Sequence, residues 1–235
     1  MTKQQRAVGV VALGLAGFAV LAALAVVAEP TLLRFDQAMQ AVLLESRSVG
    51  LNHTMVVLTF LGTRWIIGAA TVALVIWSAV TRRHRVLVAV VVAAVLLNPV
   101  LEVAFKELIG RVRPAVAQLL PGNGPSFPSG HVLAAVGFYG LIPLLTWEAT
   151  RNRLARAAAV VGSGAIIAAV TVSRPYLDVH WTTDALAGVL LGSALVAATY
   201  LTYLRLQPAP AIRLARPTTD PAARRPTGDR QPATF

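Results

Sequence analysis

The sequence has no cysteine, and only 13% of its 235 residues are charged. The absence of cysteine excludes a disulfide framework and any thiolate metal site, and it leaves no indication of redox compartment. Soluble domains of this size usually carry about a quarter charged residues. The low charge, a hydrophobic fraction of 56% and a mean hydropathy of +0.67 therefore indicate a membrane protein.

Acidic residues are few as well, at 10 against 21 lysines and arginines, so the formal net charge is +11. The basic residues occur in short clusters between apolar runs. A nucleic-acid-binding domain concentrates such charge on one soluble face, whereas this pattern is typical of the loops that flank membrane helices. We therefore expect the bilayer, and not nucleic acid, as a partner.

Six apolar segments meet or approach the length of about 20 residues that a helix needs to cross a bilayer. They are residues 7–28, 55–80, 86–105, 131–147, 154–172 and 181–204. Arg64 interrupts the second segment, so its membrane part is expected to begin near Trp65, and Pro143 predicts a kink in the fourth. The sequence predicts an all-α, polytopic bundle of six transmembrane helices.

Most lysines and arginines lie in the N-terminus, the second and fourth loops and the C-terminal segment. The positive-inside rule makes that side cytoplasmic, so both termini are expected inside a plasma or inner membrane. The basic start, together with Val26 and Ala28, resembles a cleavable signal peptide. The apolar run, however, is longer than the roughly 7–15 residues of a signal core, which favours a retained helix.

Two segments lie outside the predicted spans. Residues 29–52 carry Phe35, Met39, Val42 and Leu43 at helical spacing, which fits either an amphipathic helix in the interface or a loop helix that covers the bundle. The tail is rich in proline, alanine and arginine and has no periodicity. We therefore expect a membrane domain over residues 1–206 and a disordered, basic, cytoplasmic tail over 207–235.

Three polar clusters, at residues 106–114, 127–131 and 173–184, fall at the predicted outer ends of the helices. They supply the cations Lys106, Arg113 and Arg174, and guanidinium groups match phosphate oxygens in a bidentate fork. Ser129 and Gly130 precede a helix, whose free N–H groups and positive dipole attract an anion. Together these residues predict a phosphate-binding site at the outer membrane interface.

Two histidines and a carboxylate add catalytic groups to this site. His180 and Asp184 are four residues apart, so on a helix they would share a face. A carboxylate that accepts one ring N–H orients the ring and leaves the other nitrogen as a nucleophile. His131, at the start of the facing helix, is placed to protonate a leaving oxygen.

The motifs Lys-x6-Arg-Pro, Pro-Ser-Gly-His and Ser-Arg-x5-His-x3-Asp resemble the three-part signature of the type 2 phosphatidic acid phosphatase family, and every signature position is matched. That family includes membrane lipid phosphatases, soluble acid phosphatases and vanadium haloperoxidases. The resemblance implies a phosphohistidine at His180, orientation of that ring by Asp184, and acid and then water activation by His131. It implies phosphate binding by a set of five residues: Lys106, Arg113, Ser129, Gly130 and Arg174. It also implies no metal and no other cofactor.

Other polar residues receive simpler interpretations. Arg111 either extends the site towards a second phosphate or, as we favour, anchors a helix end at the interface. Glu102, four residues before Lys106, is expected to pair with that lysine. Asp178 is interpreted as a polar loop residue, and Asn98-Pro99 as a helix irregularity. The histidines at 53 and 84 are assigned no role.

The function predicted is hydrolysis of a lipid phosphate or diphosphate, with polyprenyl diphosphate, phosphatidylglycerophosphate and phosphatidic acid as candidate substrates. Two alternatives stay open: a phosphotransferase that uses the same intermediate, and a transporter or receptor that binds a lipid phosphate without cleaving it. The apolar body argues against a haloperoxidase. Nothing in the sequence indicates an oligomeric state.

Overall fold

The computed structural model describes residues 1–207, and within them the regular structure consists of nine α-helices and no strand. The helices are α1 (Lys3–Val27), α2 (Glu29–Glu45), α3 (Val49–Phe60), α4 (Arg64–Thr81), α5 (Arg85–Ile109), α6 (Gly130–Tyr139), α7 (Ile142–Ala149), α8 (Arg153–Tyr176) and α9 (Thr182–Leu206). Six spans are long and apolar enough to cross a membrane: α1, α4, α5, α6 with α7, α8 and α9. The prediction of an all-α, multi-pass membrane protein is confirmed.

Helix α9 lies at the centre of the bundle and packs against α1, α5, α6 and α8. Glycines on this helix permit the close approach of α6, because a Cβ at Gly192 would lie 2.7 Å from the Val136 Cβ and one at Gly188 would lie 2.9 Å from the Ser129 carbonyl oxygen. The backbone N–H of Ser129 also donates to the Asp184 carbonyl at 3.0 Å. The first turns of α6 and α9 are therefore held side by side.

Two of the predicted spans differ in the structure. The segment 55–80 is not one helix, because the chain turns at residues 61–63, and Thr63 caps α4 by accepting from the Ile66 N–H at 3.4 Å. Arg64 thus begins a membrane helix instead of interrupting one, which confirms the expected start near Trp65. The segment 131–147 breaks between α6 and α7, with Pro143 in the first turn of α7, where its missing N–H has no helical partner to lose.

Helices α2 and α3 cover the end of the bundle that carries the three polar clusters. Helix α2 buries Leu32, Asp36 and Gln40 and packs against α8 and α9, while its apolar Phe35 and Val42 remain exposed. Helix α2 thus packs on the bundle through a largely polar face, and its exposed Phe35 and Val42 are also compatible with an amphipathic helix in the interface. The predicted disordered tail, apart from Gln207, lies outside the described residues.

Candidate active site

A cavity of about 270 Å³ lies between the ends of α4, α5, α6 and α8 and the loop that joins α5 to α6. Six of the eight predicted site residues line it: Lys106, Arg113, Gly130, His131, Arg174 and His180. The other two, Ser129 and Asp184, are 0% exposed and lie behind this lining. The three clusters, separated along the chain, therefore meet at one site.

His180 presents one ring nitrogen to each side. Its Nδ1 lies 2.7 Å from the Ser126 carbonyl oxygen, and its Nε2 lies 3.1 Å from Nη1 of Arg113. A carbonyl can only accept, so Nδ1 carries the proton, and Nε2 keeps its lone pair. Asp184 Oδ2 is 3.6 Å from Nδ1, which is too long for a hydrogen bond. The structure thus assigns the tautomer-fixing contact to a carbonyl, and the Asp184 carboxylate lies near the ring without a hydrogen bond to it.

The surroundings of His180 keep its ring neutral. Burial is the main cause that holds the pKa of His180 well below its ordinary value of 6.5, and the charges of Arg174, Arg113 and Lys106 lower it further. The hydrogen bond to Ser126 acts in the opposite direction. A neutral imidazole with an unprotonated Nε2 is the form that attacks phosphorus, and here this nitrogen accepts from Arg113 Nη1 until a substrate takes that place.

Arg113 is held by the loop between α5 and α6. Its Nε donates to the Gly124 carbonyl at 2.9 Å, and its Nη2 donates to the carbonyls of Asn123 and Pro125, each at 3.1 Å. Its Nη1 donates to the Val179 carbonyl and lies 3.1 Å from His180 Nε2, so all five N–H donors of Arg113 have a partner. These contacts fix the guanidinium plane, and an oxyanion that binds Arg113 must displace one of them. Burial lowers the pKa of Arg113 below its ordinary value, and the charges of Asp184 and Glu102 partly oppose this shift.

The other two predicted cations come from helix ends. Arg174 is buried near the end of α8, where its Nη1 donates to the Thr59 hydroxyl at 2.8 Å while its Nε has no partner among the described residues. Lys106 Nζ lies 2.5 Å from Glu102 Oε1, so the expected pairing of these two residues is confirmed. Arg64, at the start of α4, also lines the cavity and was not predicted as a site residue.

The amino end of α6 faces the same cavity. Ser129 is the N-cap residue, but its buried hydroxyl makes no capping bond and has no partner within residues 1–207. A Cβ at Gly130 would overlap the Glu102 carboxylate, so glycine at this position lets that carboxylate lie against the first turn of the helix. The helix terminus therefore offers N–H groups and a positive dipole to an anionic group.

Arg111 does not have either of its predicted roles. It is only 3% exposed, and it donates from Nη1 to Asp184 at 2.7 Å and from Nη2 to Asp36 at 2.8 Å. The interpretation of Arg111 as an interfacial anchor is therefore wrong, and Arg111 does not line the cavity that holds His180. Asp36 was missed entirely, since it is one of three acidic residues in the segment 29–52 and nothing in the sequence distinguishes it from the other two.

Asp178 is buried instead of lying in an exposed loop. It has a φ of +61° and is 0% exposed. Its carboxylate accepts from the side-chain amide of Gln40 and, at 2.6 Å, from the backbone N–H of Ala117. Asp178 therefore shapes the turn that precedes His180.

An apolar groove of about 510 Å³ adjoins the cavity between α4 and α5. Its walls include Ile67, Val95, Pro99 and Val103. It shares a lining with the cavity at four residues: Arg64, Glu102, Lys106 and Ala134. A polar cavity thus meets an apolar groove at the ends of two membrane helices.

Residues 85–208, more than half of the chain, match the PAP2 superfamily, and the chain belongs to that family. A segment of 102 residues is 39% identical to phosphatidylglycerophosphatase B of Bacillus subtilis (strain 168), covering 41% of this chain and 46% of that protein. The match thus spans less than half the length of this curated relative. The family predicted from the three motifs is confirmed.

Two solved structures are similar to this one. The first transmembrane PAP2 type phosphatidylglycerolphosphate phosphatase from Bacillus subtilis superposes with a TM-score of 0.73 at 27% identity, over 83% of this chain and 98% of that one. Aquifex aeolicus LpxE superposes with a TM-score of 0.56 at 19% identity, over 70% of this chain and 93% of that one. The latter likeness concerns the fold alone.

Proposed function

We propose that this protein is an integral-membrane phosphatase that hydrolyses a lipid phosphate or diphosphate through a phosphohistidine. The observation that carries the proposal is the position of His180 Nε2, 3.1 Å from Nη1 of Arg113 in a cavity that several cations line. A nucleophile beside fixed guanidinium groups is the arrangement that phosphoryl transfer requires, because catalysis of this reaction is mostly positioning and charge stabilisation.

In the proposed first step, the phosphate lies between Arg113, Arg174 and Lys106, against the amino end of α6. His180 Nε2 attacks phosphorus, the bond from phosphorus to the lipid oxygen breaks, and His131 gives a proton to that leaving oxygen. The cations stabilise the negative charge on the equatorial oxygens. Bound at the α6 terminus, the phosphate would also meet the backbone N–H of Gly130 and the hydroxyl of Ser129.

In the second step, His131 removes a proton from water as the water oxygen attacks phosphorus. The bond between phosphorus and His180 Nε2 breaks, and inorganic phosphate leaves. Asp184 stabilises the positive charge that the His180 ring acquires in the intermediate, acting from 3.6 Å. No step requires a metal or another cofactor, which stays a prediction.

The lipid part of the substrate is proposed to lie in the groove between α4 and α5. This groove is apolar, opens between two membrane helices and meets the cavity at Lys106 and Arg64. A single-chain or two-chain lipid in the groove would place its phosphate beside His180. By its chemistry the site fits phosphatidylglycerophosphate, phosphatidic acid or a polyprenyl diphosphate, and the name of the Bacillus subtilis relative favours testing the first.

We propose that the site faces the outer side of a plasma or inner membrane and that both termini are cytoplasmic. Lys3 and Tyr200 line one groove, so the start of α1 and the last turns of α9 lie together. Thr182 opens α9 at the catalytic end, and its 25 residues span about 37 Å, enough to cross a bilayer. The clusters of arginine at the end away from the site favour this orientation.

The testing experiment measures phosphate release by the detergent-purified protein, in the presence of a chelator, from the three candidate lipids and a soluble phosphoester. His180→Ala is compared with His53→Ala, a matched change at an exposed histidine. Release that His180→Ala abolishes and His53→Ala preserves supports the proposal. Adding an alcohol acceptor distinguishes transfer from hydrolysis, and lipid binding without release would favour a transporter or receptor.

A further inference from the structure

A buried carboxylate on α2 lies against the arginine that holds Asp184. Asp36 is 0% exposed, and its Oδ2 accepts from Arg111 Nη2 at 2.8 Å and from the Thr183 hydroxyl at 2.6 Å. Its Oδ1 accepts from the Thr183 backbone N–H at 2.9 Å. Asp36 lies outside the family match at residues 85–208, and it does not line the cavity that holds His180. A buried charge is costly, so this one calls for a specific explanation.

Arg111 is divided between two carboxylates. Its Nη1 donates to Asp184 Oδ1 at 2.7 Å and to the Thr183 hydroxyl at 2.8 Å, while its Nη2 is taken by Asp36. Each carboxylate therefore receives one guanidinium nitrogen. A guanidinium that faces a single carboxylate frequently binds both of its oxygens. The Arg111 Nε is buried and unpartnered within the described residues, so the guanidinium has the donors for such a pairing.

The second oxygen of Asp184 is used on the opposite side. Asp184 Oδ2 accepts from the Trp181 backbone N–H at 2.9 Å and lies 3.6 Å from His180 Nδ1. Bidentate pairing with Arg111 would turn this oxygen away from both groups. The direction of Asp184 towards His180 is thus held by the Trp181 N–H and also depends on how Arg111 is occupied.

We propose that Asp36 is a positioning residue that keeps Arg111 from pairing with both oxygens of Asp184, so that one oxygen stays directed at His180. A negative oxygen 3.6 Å from Nδ1 adds to the preference that the Ser126 carbonyl sets for a proton on Nδ1, and this tautomer leaves the Nε2 lone pair for attack. This inference rests on the proposed function, in which His180 is the nucleophile. It makes α2, outside the three motifs, part of the catalytic apparatus.

The primary test is Asp36→Asn, which keeps the shape of the side chain and removes its charge. Residues that hydrogen-bond to the ligands of a catalytic metal and orient them typically contribute about 10- to 100-fold to activity. Asp36 orients a catalytic group in a comparable way, so we expect kcat to fall by that factor. KM should change by less than about threefold, because no phosphate-binding group is altered. Arg47→Gln is the matched control. Arg47 lies between α2 and α3 and donates to the backbone carbonyls of Ala117 and Tyr176, but it does not contact Asp184.

A milder variant keeps the test valid if Asp36→Asn does not fold. Thr183→Val removes the hydroxyl that accepts from Arg111 and donates to Asp36, while Thr183→Ser retains it. We expect a loss in kcat of about threefold to tenfold for the valine variant, corresponding to one hydrogen bond, and near-normal kcat for serine. A change in KM without a change in kcat, in Asp36→Asn or in Thr183→Val, would overturn the proposal.

A readout that needs no substrate separates this proposal from the proposed function. The chain has only 4 histidines, so nitrogen-15 NMR of labelled histidine can resolve the His180 ring. We expect Nε2 to be unprotonated in the wild type and Asp36→Asn to increase the fraction protonated at Nε2, with no change in Arg47→Gln. An unchanged ring in Asp36→Asn contradicts the positioning role. A wild-type protein that cleaves no lipid contradicts the proposed function, and the NMR result still decides on Asp36.

Discussion

Two groups of charged side chains meet at one end of the bundle, and they differ in how their charges are matched. The closed cluster consists of Arg111, Asp36 and Asp184, all at most 3% exposed, with one cation shared by two carboxylates. The open cluster lines the cavity, and there four described cations, Arg64, Lys106, Arg113 and Arg174, face a single carboxylate, Glu102. The charges of the closed cluster are matched within the protein. The open cluster has an excess of positive charge, which favours an anion in the cavity.

His180 lies between these two clusters. Its Nδ1 faces the Ser126 carbonyl and Asp184, and its Nε2 faces Arg113. The closed cluster therefore lies on the side of the protonated ring nitrogen, and the open cluster lies on the side where we propose that the phosphate binds. Mutations on the two sides should produce different kinds of defect, in orientation and stability on one side and in substrate and transition-state binding on the other.

The largest effect is expected at the residue that joins the two clusters. His180→Asn keeps a polar side chain of similar reach but removes the nucleophilic nitrogen. Loss of a catalytic nucleophile or its base typically costs on the order of 10⁴-fold or more in kcat, so phosphate release should fall to background. Residual release above about 1% of wild type, measured with His53→Asn as the control, would contradict the nucleophile assignment.

Removing the shared cation of the closed cluster should be the largest change in stability. Arg111→Met leaves two buried carboxylates without a counter-charge, and breaking a buried ion pair costs about 3–5 kcal/mol. By contrast, Lys106→Met removes one of several mutually repelling cations and breaks only a partly exposed pair, so it should alter stability by no more than about 1 kcal/mol. Thermal unfolding of both variants in detergent tests the contrast, and equal losses would contradict it.

Within the open cluster, geometry should matter beyond charge. Arg174→Lys keeps the positive charge but loses the planar fork, so kcat/KM should fall about 10²- to 10³-fold, as for the loss of one transition-state donor. Arg47→Lys, outside the cavity, is the matched control. If lysine at position 174 supports full activity, the guanidinium does not contact the transferring phosphate.

The groove next to the open cluster should discriminate between substrates. A Cβ at Gly68 meets no heavy atom within 4 Å, so Gly68→Leu can fill the groove without a clash, and Gly162→Leu is a control in equally open space on α8. We expect kcat/KM to fall about tenfold for a long-chain lipid phosphate, equivalent to roughly 1.4 kcal/mol of lost binding. Hydrolysis of a short soluble phosphoester should be unaffected; a parallel loss would show that the lipid lies elsewhere.

The smallest effect expected is a shift in pH dependence. Burial and the neighbouring cations lower the pKa of His180 below 6.5, so activity that depends on the neutral ring persists as the pH falls below that value. Lys106→Gln removes one of the cations, which raises the pKa of His180 and moves the acid limb of kcat/KM to higher pH. The pH profiles of the two proteins on one substrate test the sign. A shift to lower pH would contradict it.

The pKa of His180 should also make the stability of the folded protein depend on pH. Because the pKa of His180 is lower in the folded than in the unfolded protein, its contribution to stability is complete above the unfolded value of about 6.5. It is lost as the pH falls below that value towards the folded pKa, since the unfolded chain then binds the extra proton. His180→Asn should reduce this loss on acidification.

The sequence was sufficient to predict the membrane bundle and, with the exception of Arg64, the charged residues of the open cluster. Each of its motifs lies at the end of an apolar segment, so the bundle brings Lys106, His131 and Arg174 to one end whatever the details of packing. The turn at residues 61–63 also had a local indication, because Thr63 is a good N-cap residue.

The closed cluster could not be predicted in the same way. Arg111 and Asp36 are separated by 75 residues, and their contact depends on how α2 docks, which no local periodicity specifies. The spacing argument for His180 and Asp184 assumed one helix, but α9 begins at Thr182, and Asp184 instead accepts from the Trp181 N–H in its first turn. The main-chain carbonyl of Ser126 is instead the partner of the His180 ring. Every residue has such a carbonyl, so this contact could not be predicted from the type of residue.

The most direct test of this account is to find where the phosphate is held during turnover. The protein would be mixed with lipid labelled on its phosphate, quenched within one turnover at alkaline pH, digested and mapped by mass spectrometry. His131→Ala would be treated in the same way, because it lacks the group proposed to activate water. We predict label on His180 in the wild type, and both slower formation and slower loss of that label in His131→Ala, because His131 is proposed to act in both steps. Label on another residue, or product formed with no labelled protein at any time, would contradict it.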